Sequence, residues 1–281
     1  MFSDDVIIAV ICKGEYKYLR EFVEYHLNLG FDRIIIADNN DLDGERYEEL
    51  LADYIKEAKV IIINLRGKEG VQITFYNNIK NFKEDIIYDW CAFIDTDEFI
   101  TFSETGKKLF GNNIKNFLHS RDYVNAYKLN WMLYGDNGNI VYEDKPVIER
   151  FPKPLDKNVT FHYKFPENSH CKSILRYEVP VHFTNNPHGI NYLKEYYSPK
   201  GNPIEGGAFN FNIEHDILYI RHYYTKSLEE WCKNKLGRNY ADYLRSDKVD
   251  YYPLKDYFIY NEYTPEKAKW LEDNGYKYEK K

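Results

Sequence analysis

The spacing of apolar residues changes repeatedly along the first third of the chain. Continuous runs of apolar, largely β-branched residues predict four strands covered on both faces, at residues 6–11, 33–37, 60–63 and 91–94. Between them, apolar residues recur at helical spacing, which predicts helices within residues 19–27, 47–55 and 70–82. This alternation predicts an α/β fold: a Rossmann-like, mostly parallel central sheet with helices on both faces.

The second half of the chain is patterned less regularly. Strands are predicted over residues 123–133 and 217–220, and the segment between them is rich in proline, glycine and histidine, which is typical of loops. A capping-box pattern that starts at Ser227 predicts a helix to about Leu244. A last short helix is predicted over residues 265–274. These elements predict C-terminal helices that follow the sheet.

Composition and charge exclude several classes of protein. The net charge of −7 and the pI near 5.7 argue against nucleic-acid binding. No apolar run approaches the ~18 residues of a membrane span, and the N-terminal residues lack the basic segment of a signal peptide. The 4 cysteines show no CxxC spacing, which predicts a reducing, cytoplasmic setting. The 28 tyrosines reflect either a compositional bias or rings that line a sugar or nucleobase site.

Polar clusters follow three of the four strands predicted in the first third of the chain. They lie at residues 12–15 (CKGE), 38–41 (DNND) and 95–98 (DTDE). In parallel α/β sheets, ligands bind beyond the carboxyl ends of the strands. Because one polar turn is common but three at the same edge are not, we expect a binding site there.

Asp95 and Asp97 lie two residues apart in an extended segment, so both carboxylates project to the same side. Such a pair suits a divalent cation that keeps positions open for phosphate oxygens. Three interpretations compete: a nucleotide-sugar glycosyltransferase with an Asp-x-Asp metal site, a haloacid dehalogenase-type phosphatase with Asp95 as nucleophile, and an acidic turn that caps the next helix. The phosphatase pattern requires Thr or Val at the position of Phe99 and expects the motif on the first strand.

From about residue 5 to 240 the chain resembles the glycosyltransferase family 2-like enzymes, closest to the branch that includes family 92 and its bacterial relatives. The matching stretches occur in family order and are ICKGEYKYLREFVEYHLNLGFDRIIIADNND, Gln72, WCAFIDTDEFI, NWMLYGDNG, HCKSIL, VHF and RHYYTKSLEEWCKNKLGR. One departure is Gly14, where the family usually has Asn. The resemblance implies a GT-A catalytic domain at 1–225, with a nucleotide-binding half at 1–120 and an acceptor half at 121–225, and a C-terminal helical extension at 226–281.

The resemblance also implies contacts with a nucleotide-sugar donor. Glu15 and Asp38 would contact the nucleoside, Gln72 would line the donor pocket, and Lys226 would lie on the phosphates as a point charge. The side chains expected to face the donor or the acceptor are Lys172, His170 and His182.

The implied metal site contains Asp97, Asp95 as a ligand or a ribose contact, and His222 as a third ligand or a diphosphate contact. Carboxylates with a neutral imidazole suit Mn²⁺, and Mg²⁺ is the alternative. Each implied site residue also has a structural interpretation, as a helix-end charge, a turn residue, a core histidine or a surface charge.

Inversion at the anomeric carbon, which the resemblance implies, needs one general base within reach of the acceptor hydroxyl. Asp136 follows NWMLY and is slightly favoured, while Glu149 in VIERF and Glu98 beside the metal site are the alternatives.

The sequence therefore predicts a cytoplasmic, metal-dependent, inverting glycosyltransferase of the hexosyltransferase type. It would move a sugar from a nucleotide sugar, expected to be UDP-linked, to a glycan or lipid-linked glycan in surface polysaccharide synthesis. Peripheral association with the inner face of the membrane is a further expectation. A non-catalytic sugar-binding or scaffold protein with the same fold is the alternative from another class.

Overall fold

A computed structural model describes residues 4–82, 86–160, 164–184, 186–190, 193, 195–236 and 253–278. The strands are β1 (Val6–Cys12), β2 (Arg33–Asp38), β3 (Val60–Asn64), β4 (Trp90–Phe93), β5 (Glu98–Phe102), β6 (Ala126–Leu133), β7 (Cys171–Arg176), β8 (Tyr196–Tyr197), β9 (Pro203–Ile204) and β10 (Leu218–His222). The α-helices are α1 (Tyr16–Asn28), α2 (Tyr47–Leu50), α3 (Ala52–Lys56), α4 (Gln72–Asn77), α5 (Glu104–Phe110), α6 (Ile114–Leu118), α7 (Val147–Arg150), α8 (Leu228–Glu230), α9 (Leu254–Tyr260) and α10 (Pro265–Asp273).

The main strands form one sheet in the order β3-β2-β1-β4-β7-β6-β10-β5. β1, β2, β3 and β4 run parallel to one another, as the alternation of the first third predicts. In the second half, β7 is antiparallel to both β4 and β6, β10 is parallel to β6, and β5 is antiparallel to β10. The chain therefore has a mixed α/β fold with a central, mostly parallel sheet, and the predicted fold class is confirmed.

Successive residues of β1 supply two apolar layers. Val6, Ile8 and Val10 pack in a cluster with side chains of α1 and α6, whereas Ile7 and Ala9 pack in a second cluster with side chains of α4. Because neighbouring strand residues point to opposite faces, helices cover both faces of the sheet. This burial on both sides explains the uninterrupted apolar runs.

The elements differ from the prediction at three places. The helix predicted over residues 47–55 is two short helices, since Leu51 between them is not helical. β7 lies in a segment predicted to be a loop, because its buried Lys172 and Ser173 interrupt the apolar pattern. The helix predicted from Ser227 begins with the predicted capping box and continues as a π-helical turn, Trp231–Lys235, while its extension to Leu244 falls outside the described residues.

The helices of the described segments include none with the length and apolar character needed to cross a membrane. The C-terminal helices pack around a separate apolar cluster, which contains Trp231, Leu254, Tyr257 and Leu271.

His26 is buried in α1 and is held in its neutral form. Its Nδ1 lies 2.9 Å from the carbonyl oxygen of Phe22, and its Nε2 lies 3.2 Å from the backbone nitrogen of Ile100. Because the Ile100 N–H donates, Nε2 accepts and Nδ1–H donates to Phe22. Burial lowers the pKa of His26 from 6.5 to about 3, against the raising effect of the Phe22 carbonyl.

We expect the protein to lose stability as the pH falls below about 6.5. The unfolded chain protonates His26 near pH 6.5 and the folded chain only near pH 3, so this stability is present above pH 6.5 and is lost toward pH 3. At pH 5 the loss is about 2 kcal/mol. Urea unfolding at pH 7 and pH 5 of the wild type and His26→Gln measures it, since Gln offers one donor and one acceptor. An identical pH dependence of both proteins contradicts the prediction.

Candidate functional site

The carboxyl ends of the parallel strands meet around Cys12. Cys12 ends β1 and lies in register with Asp38 at the end of β2. Burial raises the pKa of the Cys12 thiol well above its ordinary value, and the nearby carboxylates of Glu15, Asp38 and Asp95 raise it further. The three polar clusters that follow the strands are therefore neighbours in the structure.

Asp97 lies in the turn between β4 and β5 and faces two side chains of the later chain. Its Oδ2 is 3.0 Å from Nζ of Lys235, and its Oδ1 is 3.5 Å from Nε2 of His222. β10 brings His222 there, because it pairs with β5 and sets His222 opposite Glu98. Burial by itself raises the pKa of Asp97, but Lys235 and His222 outweigh it and hold that pKa well below the ordinary value. Asp97 is therefore ionised.

Asp95 is held by side chains of two other elements. Gln72, at the start of α4, donates from Nε2 to Asp95 Oδ1 at 3.0 Å. Lys172, on β7, donates from Nζ to Asp95 Oδ2 at 2.6 Å. Both Gln72 and Lys172 are buried. Gln72, expected to line the donor pocket, and Lys172, expected to face the donor or the acceptor, thus fix the orientation of Asp95.

Glu98 is fully buried beneath the turn. Its Oε2 accepts the backbone N–H of Asp95 at 2.9 Å and lies 3.7 Å from Nζ of Lys172. Burial raises the pKa of Glu98 well above its ordinary value, and the carboxylates of Asp95 and Asp97 add to this against the effect of Lys172. Glu98 shapes the turn that carries the two aspartates.

Lys226 completes the group of cations near Asp97. Its φ of 53° is in the left-handed region, which is uncommon for a residue with a side chain and costs conformational energy. Its Nζ lies 4.1 Å from the ring centroid of Tyr18, and its charge helps to lower the pKa of Asp97. Lys226 and Lys235 therefore both lie close to Asp97.

Asp38 is buried and forms an ion pair that the sequence did not reveal. Its Oδ2 is 2.5 Å from Nη1 of Arg66, and its Oδ1 accepts from the backbone and the side chain of Asn40 at 3.0 and 2.8 Å. Arg66 also donates to the carbonyl oxygens of Asp41, Gly44 and Glu45. Together these bonds fix the loop that follows β2.

Glu15 precedes α1 and is half-buried at the same edge. Its backbone N–H donates to the hydroxyl of Tyr47 at 3.1 Å. The preceding Gly14 has a φ of 68° and donates its N–H to Asn40 Oδ1 at 2.8 Å. Gly and Asn tolerate this left-handed conformation best, so the backbone at position 14 suits either residue.

Asp97 and His222 have the chemistry of a cation-binding pair. Asp97 is ionised, and burial lowers the pKa of His222 despite the opposing carboxylate of Asp97, so the imidazole is neutral. Nδ1 of His222 is buried and has no hydrogen-bond partner in the described part of the chain. Asp95 is engaged by Lys172 and Gln72 instead, and the described residues contain no group of three or more acidic, His or Cys side chains arranged to hold a metal. Of the three predicted ligands, Asp97 and His222 thus lie side by side, with Lys235 on the other oxygen of Asp97, whereas Asp95 is paired with Lys172.

An aromatic strip extends from His222 across the sheet. The Trp131 ring lies 4.3 Å from that of His222 and stacks on His170 at 4.7 Å. The His170 ring in turn lies 4.6 Å from that of Phe209. His182 is exposed, in the chain after β7. Of the two histidines expected near the donor or acceptor, His170 therefore belongs to the strip that begins at His222.

The candidate bases lie in different environments. Asp136 is buried, accepts from the N–H of Gly138 at 2.8 Å and from the hydroxyl of Tyr257 at 2.5 Å, and forms an ion pair with Lys267. It therefore ties the turn after β6 to α9 and α10. Glu149 is exposed on α7. The third candidate, Glu98, is buried beneath the turn, as described above.

We expect Tyr257→Phe to lower the free energy of unfolding by about 2 kcal/mol, because Asp136 loses a buried donor to a charged group. Urea denaturation measures this loss. Tyr123→Phe, at a tyrosine that is 62% exposed, is the matched control. A loss no larger than that of the control contradicts the structural role of Asp136.

Sequence reasoning missed Arg66 and Lys235. Arg66 closely follows the carboxyl end of β3. The expectation that polar residues after the strands form a site covered β1, β2 and β4, and it would have included Arg66 if it had been extended to β3. Lys235 had no such signal, because its neighbours in sequence read as an amphipathic helix. It lies in the segment predicted to be a C-terminal extension, yet it contacts Asp97.

No family model matches the chain, and no curated protein matches it. Among solved structures, S. aureus TarS 1-349 in complex with UDP-GlcNAc matches with 15% identity and a TM-score of 0.34, over 50% of this chain and 37% of that one. TarS 1-349 alone matches with 13% identity and a TM-score of 0.36, over 61% and 47%. HddC from Yersinia pseudotuberculosis matches with 13% identity and a TM-score of 0.34, over 72% and 88%. The chain thus spans less than half of either TarS structure, and similarities at these TM-scores identify no activity.

Proposed function

We propose that this protein transfers a sugar from a nucleotide sugar, UDP-linked, to a glycan acceptor. One observation carries the proposal: ionised Asp97 lies with His222, Lys226 and Lys235 at the carboxyl edge of the sheet. A diphosphate needs positive charge and hydrogen-bond donors, and this edge is where α/β sheets bind nucleotides. The same group of side chains can stabilise the charge that develops on the leaving diphosphate.

In this proposal each part of the edge acts on a different part of the donor. Lys226 and Lys235 attract the diphosphate, and their positive charge favours departure of the nucleoside diphosphate. The loop that Asp38 and Arg66 fix, together with Glu15, forms the wall for the nucleoside. Asp95, oriented by Gln72 and Lys172, faces the ribose. Because this wall is already ordered by hydrogen bonds, little conformational entropy is lost on binding.

A divalent cation, Mn²⁺ or Mg²⁺, would be held by Asp97 and His222 and would leave positions for phosphate oxygens. When bound it supplies a Lewis acid that neutralises charge on the phosphates. Asp97 is ionised and His222 is neutral, which are the states that both ligands require.

The proposed reaction inverts the anomeric carbon with one general base. A base must be within reach of the acceptor hydroxyl. Asp136 and Glu98 are buried and hold other groups, whereas Glu149 is exposed, so among the three predicted carboxylates we propose Glu149.

We keep residues 1–225 as the proposed catalytic domain, with the addition that Lys226 and Lys235 of the proposed extension belong to the same site. The proposed setting is the cytoplasmic side of a membrane, in surface polysaccharide synthesis.

The experiment is a panel of nucleotide sugars incubated with the protein, with and without Mn²⁺, followed by assay of released nucleoside diphosphate. We expect slow, metal-dependent release from at least one UDP-sugar, and saturable UDP binding by calorimetry. Glycan binding with no release from any member would favour the non-catalytic sugar-binding alternative. Hydrolysis of simple phosphate esters, blocked by beryllium fluoride and by Asp95→Asn, would favour the phosphatase.

A further inference from the structure

A cavity of about 600 Å³ lies at the end of the aromatic strip opposite to His222, and its lining is nearly one continuous segment. Residues 202–212 form most of the wall, and Asn186 and Glu214 complete it. The segment includes β9, which pairs with β8 beside β6. None of the site residues discussed above except Phe209 belongs to this wall.

The wall is anchored to the central sheet by hydrogen bonds. The N–H of Cys171, on β7, donates to the carbonyl oxygen of Ala208 at 2.9 Å, and the N–H of Asn210 donates to that of Ser169 at 2.7 Å. The side chain of Asn210 also donates to Oδ1 of Asn130, on β6, at 2.9 Å. The cavity is therefore preformed rather than a gap between loosely placed loops.

The lining combines an exposed aromatic ring with a buried carboxylate. Phe211 is 65% exposed, although Phe165 packs edge-on against it at 5.1 Å. Glu214 is only 5% exposed, and its Oε1 accepts from Nδ2 of Asn202 at 3.1 Å. Its Oε2 is buried and has no hydrogen-bond partner among the described residues. A buried acceptor of this kind costs free energy unless a ligand donates to it.

The charge of this lining differs from that of the turn that carries Asp95 and Asp97. Glu205 and Glu214 are its ionisable residues, and the buried Lys128 lies behind the wall, where its Nζ donates to the carbonyl oxygens of Glu205 and Phe209. An anionic diphosphate would meet the two carboxylates at this lining, whereas the edge near Asp97 carries Lys226 and Lys235. The cavity therefore disfavours an anionic ligand, and the unpartnered oxygen of Glu214 favours a ligand that offers hydroxyl donors.

The cavity also adjoins the proposed donor site. Phe209, in its wall, contacts His170, and the aromatic strip continues through Trp131 to His222 beside Asp97. A ligand chain that lies over Phe211 and Phe209 would thus extend toward the end of the donor at which transfer takes place.

We propose that this cavity binds a neutral carbohydrate chain, with a sugar face on Phe211 and sugar hydroxyls donating to Glu214. Flat C–H faces of sugars pack on aromatic rings while carboxylate and amide groups bind the hydroxyls around them. That the bound carbohydrate acts as the acceptor rests on the proposed function. That the cavity binds carbohydrate does not.

The test is binding of cellopentaose, chitopentaose and maltopentaose to the full chain, by saturation-transfer NMR and calorimetry, with pentagalacturonate as the anionic probe. We expect at least one neutral probe to bind, and pentagalacturonate to bind at least tenfold more weakly. Phe211→Ala should weaken binding about three- to tenfold, the effect of one aromatic contact. Glu214→Gln should weaken it at least about threefold, because the charged acceptor is lost.

The control is Leu109→Ala, at a residue that is 62% exposed on α5 and lies outside the cavity lining; it should leave binding unchanged. The proposal is overturned if no neutral probe binds, if Phe211→Ala and Glu214→Gln bind like the control, or if pentagalacturonate binds most tightly. UDP binding, measured on the same variants, should stay unchanged. Absence of UDP binding and of sugar-nucleotide cleavage, with the expected carbohydrate results, would refute the proposed function and leave the cavity proposal standing.

Discussion

Asp97→Asn is expected to weaken UDP binding in the presence of Mn²⁺ by at least about 100-fold and to remove transfer to the same extent. Asn keeps the size of the side chain, so the turn between β4 and β5 should keep its shape. The negative charge that would hold a cation together with His222 is lost. Because the pKa of Asp97 lies well below its ordinary value, the wild-type carboxylate stays ionised at the pH of any such assay.

The direction of this change separates two ways of binding the diphosphate. If Asp97 holds a cation, its neutralisation removes the cation and the affinity falls. If Lys226 and Lys235 bind the diphosphate without a metal, neutralising a nearby carboxylate strengthens their attraction and the affinity rises. Calorimetry measures the affinity for UDP both in the presence of Mn²⁺ and in the presence of a chelator. Asp53→Asn, at an exposed partner of Arg20, is the matched control, and tighter binding by Asp97→Asn would contradict the metal site.

Arg66→Leu is expected to lower the free energy of unfolding by about 3–5 kcal/mol, because it leaves the carboxylate of Asp38 buried without its partner. Both side chains are nearly inaccessible, at 3% and 1% exposure. Arg66 also holds three carbonyl oxygens of the loop after β2, and these lose their donors together. We therefore expect UDP binding to weaken along with stability.

Urea unfolding of three variants tests this effect. Arg20→Leu removes the shared partner of two exposed ion pairs, with Asp53 and with Glu24, whose side chains are 52% and 45% exposed, and should cost less than about 1 kcal/mol. The double variant Asp38→Asn with Arg66→Leu should recover part of the loss, since no buried charge is then unpaired. If Arg66→Leu costs no more than Arg20→Leu, the buried pair is not what orders this loop.

Much of the candidate site followed from the strand pattern. The carboxyl ends of parallel strands adjoin, so Glu15, Asp38 and Asp95 could be placed together from their positions after apolar runs. Gln72 came only from the resemblance to the glycosyltransferase family, since nothing in its local pattern distinguishes it from a solvated helix residue. Its hydrogen bond to Asp95 shows why that position matters to the turn.

Other parts had no local signal. Asp136 stood in a polar turn and looked accessible, yet Tyr257 and Lys267, more than a hundred residues later, bury it. The cavity near Phe211 lies in a segment without regular periodicity, so its shape depends on hydrogen bonds to β6 and β7. Contacts of this kind join residues far apart in the chain, and no spacing rule predicts them.

The sequence by itself determined the alternation of strands and helices, the burial of the sheet on both faces, and the edge at which the polar residues collect. It did so because these features depend on local periodicity and on the geometry of parallel strands. Only the tertiary structure decided which cation meets which carboxylate: Arg66 with Asp38, Lys172 with Asp95, and Lys235 with Asp97. Charge pairing acts through space over a few ångströms, and the chain brings these partners together only when the sheet is complete.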